Sequence, residues 1–108
     1  MIKHLQKQYV ETENYLWKFN ILYTFEVVVK AVPTDARVAP LIETIMDEMD
    51  DDVPNLRFIS CRILSNLSDL LPEDVKQKVV EKMKQQMEDT DRDVRYYAAL
   101  GLKAFKAM

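Results

Sequence analysis

The chain has 108 residues, 15 Lys and Arg against 18 Asp and Glu, and a formal charge of −3. That length suits one domain, and the mild acidity speaks against a surface built chiefly for nucleic acid or an anionic membrane. One Cys, one His and one Gly exclude a disulfide framework, a Cys-rich zinc site, most nucleophile–base pairs and any glycine-rich phosphate loop, and they suit a reducing compartment.

Polar and apolar residues alternate over the first thirteen positions, with neither an h-region nor a cleavage site, so no secretory signal is read there. A short helix is expected over residues 2–9. Asn14 is an N-cap candidate for a second helix over 15–32, which is apolar on more than one side and is expected to lie buried between neighbours. Glu26, Lys18 and Lys30 interrupt or bound its richest stretch, which is too short to cross a membrane. Pro33-Thr34-Asp35 breaks the chain. Val38, Leu41, Ile42, Ile45, Met46 and Met49 then recur at helical spacing, with Glu43, Thr44, Asp47 and Glu48 off the stripe, and the acidic run Asp47, Glu48 and Asp50 to Asp52 reads as a solvated turn.

After the acidic turn Asp50-Asp51-Asp52, Asn55 is the candidate cap for a helix whose stripe is Leu56, Ile59, Ile63, Leu64, Leu67 and either Leu70 or Leu71. Leu71-Pro72-Glu73-Asp74 ends that helix and opens another, since Pro disfavours helix before it and tolerates a first turn. Val75, Val79, Met83 and Met87 step by four, leaving Lys76, Lys78, Lys82 and Lys84 on the outer faces. Asp93 is the candidate cap for the last helix, with Val94, Tyr97, Ala98, Leu102 and Phe105 inward. The sum is about six helices without a strand signal, an all-α chain.

The sequence repeats internally. A shift of 38 residues lays Leu41, Ile45 and Met49 on Val79, Met83 and Met87. The same shift lays Asp51 on Asp89, Asn55 on Asp93, Leu56 on Val94, Arg57 on Arg95, Phe58 on Tyr96, Leu64 on Leu102 and Leu67 on Phe105. A step of about 41 lays Asn55-Leu56-Arg57-Phe58 more loosely on Asn14-Tyr15-Leu16-Trp17. A period near 40 with two helices per unit is the signature of an α-solenoid. Three units are expected over about 1–33, 34–71 and 72–108, the first of them degraded. Arg57 and Arg95 fall on the first turn of the second helix of a unit, where the helix dipole disfavours a cation unless a carboxylate answers it. The expectation is therefore a ladder in which turn carboxylates such as Asp51, Asp89 and Asp93 pair with the Arg of a neighbouring unit.

The turn pattern, D-x-x-x-N/D followed by an apolar residue, Arg and an aromatic, resembles the turn within HEAT repeats. Asn14-Tyr15-Leu16-Trp17-Lys18, Val53-Pro54-Asn55-Leu56-Arg57-Phe58 and Asp91-Arg92-Asp93-Val94-Arg95-Tyr96-Tyr97-Ala98 together resemble, in order and spacing, the C-terminal three repeats of the protein phosphatase 2A scaffold subunits. The resemblance implies a non-catalytic scaffold without cofactor or metal, in the cytoplasm or nucleus, whose turns form a ridge that holds a serine/threonine phosphatase catalytic subunit. Carried over by position, the contact residues are Tyr15, Trp17, Lys18, Val53, Pro54, Asn55 and Arg92. Two positions depart from the pattern: Pro54 replaces a small residue, and Lys18 replaces an Arg, which a Lys does not match as a planar fork. No nucleic acid or membrane is expected as a partner, and self-association is expected if the chain is a piece of a longer array.

Other signals are bland. Trp17, Tyr15 and Phe19 also read as core packing. Asp89-Thr90-Asp91-Arg92-Asp93 imitates the start of a calcium loop but puts Val94 where Gly is needed and Leu100 where the bidentate Glu belongs. Cys61 reads as an inert packed thiol and His4 as isolated. Asn66-Leu67-Ser68 reads as a chance glycosylation match. Gly101, with Ala98, Ala99 and Ala104, marks either a close helix approach or a loosened cap. Two other function classes fit a helical repeat: an adaptor for a transport or assembly complex, and a nucleic-acid enzyme, which the acidic turns and net charge disfavour.

Overall fold

The computed structural model describes residues 15–106, and every regular element among them is helical. The expected helix at 2–9 and the Asn14 cap lie outside the described residues. Five α-helices follow in order: α1 Tyr15–Ala31, α2 Ala39–Asp47, α3 Pro54–Asn66, α4 Glu73–Gln86 and α5 Arg92–Ala104. Single 3-10 turns precede α2 (Ala36–Val38), follow it (Glu48–Asp50) and follow α3 (Ser68–Leu70). The turn before α2 is set by Asp35, whose carboxylate accepts from the Arg37 amide at 2.9 Å.

Helices α1, α3 and α5 form a row, in which α3 makes its most extensive contacts with α5. Helix α2 packs on α1 and α3, and α4 packs on α5. The C-terminal ends of α2 and α4 lie together, because Gln86 Nε2 donates to the buried Met49 carbonyl at 2.9 Å. The resulting body measures 36 × 30 × 17 Å, the thickness of two helix layers.

The apolar stripes meet in one contiguous core running from Ile21 to Leu102. Leu41, Ile45, Leu56, Ile63, Leu64, Leu67, Val79, Met83 and Ala98 have no exposed surface or almost none, as their spacing requires. Leu71 enters the core, whereas Leu70 stays 38% exposed. Val75, Met87, Tyr97 and Phe105 are half-buried at its margin.

Helix α1 departs from expectation. Ile21, Leu22, Phe25, Val28 and Val29 are buried, but Val27 is 65% exposed and Tyr23 and Val32 are exposed too. The helix packs on α2 and α3 and leaves its outer side to solvent, so it is not enclosed all round. Glu26 is buried at the contact with α3, where its carboxylate accepts from Asn66 Nδ2 at 3.1 Å and lies 3.4 Å from Lys30 Nζ.

Gly101 is buried where α5 crosses α3 and α4. A Cβ at that position would sit 2.6 Å from Met83 Sδ and 2.8 Å from Ser65 Oγ, so the glycine serves the close approach and the loosened-cap alternative falls away. Cys61 is fully buried, and burial pushes its thiol up to about 12. No helix among the described residues is long and apolar enough to cross a membrane.

Candidate protein interface

The turn between α2 and α3 and the turn between α4 and α5 are built alike. In the first, Asp51 is extended and its Oδ1 accepts from the Val53 amide at 2.8 Å. In the second, Asp89 Oδ1 accepts from the Asp91 amide at the same 2.8 Å. Such side-chain acceptors satisfy amides that no helix can reach and fix the direction in which the next helix leaves.

The caps then fall two residues earlier than expected. Pro54, with its fixed φ, occupies the first helical position of α3 behind an extended Val53, so Asn55 lies exposed in the first turn and caps nothing. In α5 the cap is Asp91, whose Oδ1 accepts from the Asp93 and Val94 amides at 2.9 and 3.0 Å. Asp93 instead lies exposed in the first turn, where its charge favours the helix N-terminus.

The arginines extend the equivalence. Arg57 Nη1 donates to the Asp51 carbonyl at 2.9 Å, and Arg95 Nη1 donates to the Asp89 carbonyl at 2.7 Å, six residues back in each case. Arg57 also reaches across to the next turn. Its Nε donates to Asp89 Oδ2 at 3.0 Å and its Nη2 to Asp89 Oδ1 at 3.1 Å, with both side chains largely buried. Partial burial raises the Asp89 carboxyl, but the Asp91 amide and the Arg57 fork outweigh it and hold the group below its ordinary value. The Asp51 carboxylate pairs with no guanidinium among the described residues, so there only Arg57 joins two turns in the expected manner.

A second tie runs beside this one. Lys82 on α4 pairs with Asp50 in the α2–α3 turn, so Lys82 is not simply part of a solvated lysine face. Glu48 is buried rather than solvated. Segments 48–53 and 87–91 together carry seven carboxylates and no Lys or Arg, which makes this edge acidic.

The residues carried over from the family resemblance are spread along this edge and α1. Val53 and Pro54 are half-buried, Val53 against the core, while Asn55 and Arg92 are exposed. Lys18 is half-buried on α1; Tyr15 and Trp17 lie at the start of that helix, their side chains outside the described residues. Among the described residues no group of three or more His, Cys, Asp or Glu is placed to hold a metal ion. Sequence reasoning missed the Gln86–Met49 and Lys82–Asp50 links, which depend on how the two helix pairs stack. Comparison with protein-family models and with curated proteins finds no match for the chain.

Proposed function

We propose that the chain is a non-catalytic interaction scaffold of HEAT type, an α-solenoid of stacked helix pairs whose turn edge binds a partner protein. The observation that carries this reading is the equivalence of the two turns: Asp51 and Asp89 each accept from the amide two residues on, Arg57 and Arg95 each donate to the carbonyl six residues back, and Arg57 ties one turn to the next. In a stack of repeats each unit contacts only its neighbours, so links of this kind set the stacking angle and line the turns along one edge. That edge offers Asn55 and Arg92 with flanking carboxylates, a polar surface of the sort found at the rim of an interface.

The resemblance of the three turn segments to phosphatase 2A scaffold subunits makes a serine/threonine phosphatase catalytic subunit the partner of choice. Binding of a purified catalytic subunit to the immobilised chain tests it. Capture is expected for wild type and is expected to weaken on Arg92→Glu and Asn55→Asp, both exposed positions. No capture by wild type, or equal capture by both variants, overturns the phosphatase reading. Pro54 and Lys18, which depart from the family pattern, favour the second reading, an adaptor that uses the same edge for a different protein.

A further inference from the structure

The chain's acidic surplus is concentrated in its turns. Helices α1, α3 and α5 carry seven Lys and Arg against two acidic residues. Arg57 and Arg95 are spent on the acidic turns and Lys30 on Glu26, while Arg62 and Lys103 lie exposed toward the C-terminal ends of α3 and α5. One of the two acids, Glu26, is buried on Asn66 and Lys30, and the other, Asp93, sits at the extreme N-terminal turn of α5. Helix α3 has no carboxylate at all.

The same helices expose apolar surface. On α5, Arg92, Tyr96, Leu100 and Lys103 follow one another at helical spacing and all face solvent, with Tyr96 53% and Leu100 42% exposed. Between this stripe and α3 runs a groove of about 310 Å³, with Leu100, Tyr97 and Ala104 on one wall and Arg62, Ser65 and Asn66 on the other. Among the described residues nothing acidic lines it. Asn66 is already committed to Glu26, and the exposed Arg62 is the cation that lines the groove among the described residues.

We propose that this groove docks an acidic amphipathic helix of a partner protein. Leucine-type anchors at i and i+4 of such a helix would cover Leu100 and Ala104, and its flanking carboxylates would meet Arg62 on one side and Lys103 on the other. The chemistry favours a protein over nucleic acid. The Tyr97 ring is stacked on Phe58 at 5.3 Å and 13°, so that face is not offered to a base. A long polyanion would also run into the acidic turn edge. The surface differs from the turn edge, and failure of the phosphatase reading leaves it standing.

Amide NMR titration of the full chain tests the proposal with three probes. These are an acidic amphipathic peptide (Leu at i, i+4 and i+7, Glu on the flanks), its Glu-to-Lys counterpart, and a single-stranded oligonucleotide. The acidic peptide is expected to saturate and to shift Arg62, Leu100 and Ala104. Arg62→Glu and Leu100→Ser are each expected to weaken it about tenfold, with unchanged melting temperature because both side chains are exposed. The lysine peptide is expected to gain affinity for Arg62→Glu. Equal binding of both peptides to wild type, shifts confined to the turn edge, preference for the oligonucleotide, or no saturation by any probe overturns the proposal.

Discussion

Arg57 and Asp89 lie 32 residues apart in sequence and meet through two parallel N–H···O contacts of 3.0 and 3.1 Å. The third arm of the guanidinium is spent on the Asp51 and Asp52 carbonyls at 2.9 and 3.1 Å. One side chain thus closes its own turn and fastens it to the next. A planar fork does this; an ammonium does not.

Removing that fork is expected to destabilise the fold. Arg57→Ala should cost about 2 kcal/mol in urea unfolding, within the range for hydrogen bonds to charged groups. Arg57→Lys should recover less than half of that. A double-mutant cycle with Asp89→Asn should give a coupling of about 1 kcal/mol or more. A coupling indistinguishable from zero contradicts the structural role given to the pair.

The depressed Asp89 carboxyl sets a pH dependence. Its folded value lies below the ordinary 3.8, so the unfolded chain binds the proton first as acid is added. The contribution is fully present above 3.8 and is lost as pH falls through the lower folded value. Urea midpoints measured from pH 7 down to acid should therefore fall less steeply in Arg57→Ala than in wild type. Asp35, held down to about 2 by the Arg37 fork and the Arg37 amide, should titrate near that value by carboxyl NMR and return toward 3.8 in Arg37→Ala.

Cys61 should resist thiol reagents. Full burial and a thiol pushed up to about 12 leave almost no thiolate near neutrality. Labelling with a disulfide reagent at pH 8 should proceed only at the rate of global opening and become immediate in denaturant. Rapid labelling of the native chain would mean that the α3 core is not packed as described.

Gly101→Ala sets two effects against each other. Helix propensity gains about 1 kcal/mol, while the new methyl collides with Met83 and Ser65 at distances below 3 Å. Overpacking of a tight core costs about 1–3 kcal/mol, so a net loss of up to about 2 kcal/mol is expected. Met83→Leu in the same chain should reduce the loss. An alanine variant more stable than wild type would show that Met83 yields freely.

How much was legible beforehand differs by residue. The stripes Leu41, Ile45, Leu56, Ile63, Val79, Met83 and Ala98 identified the helices and their buried faces, because burial of one face at a 3.6-residue period is a local property of the sequence. The 38-residue offset likewise pairs Asp51 with Asp89 and Arg57 with Arg95 in the sequence alone. Helix starts were less legible. Pro54 and Asp91 displaced Asn55 and Asp93 as the starting points, because several short polar residues compete within one turn.

The sequence by itself therefore determined an all-α chain, its core residues and the repetition of its turns. The tertiary structure alone decided that Arg57 joins Asp89 while Arg95 stays with its own turn, that Gln86 reaches the Met49 carbonyl, and that α1 leaves Val27 in solvent. Those outcomes depend on which helix lies beside which and at what angle. Periodicity says which face of a helix is buried, and only packing says what buries it.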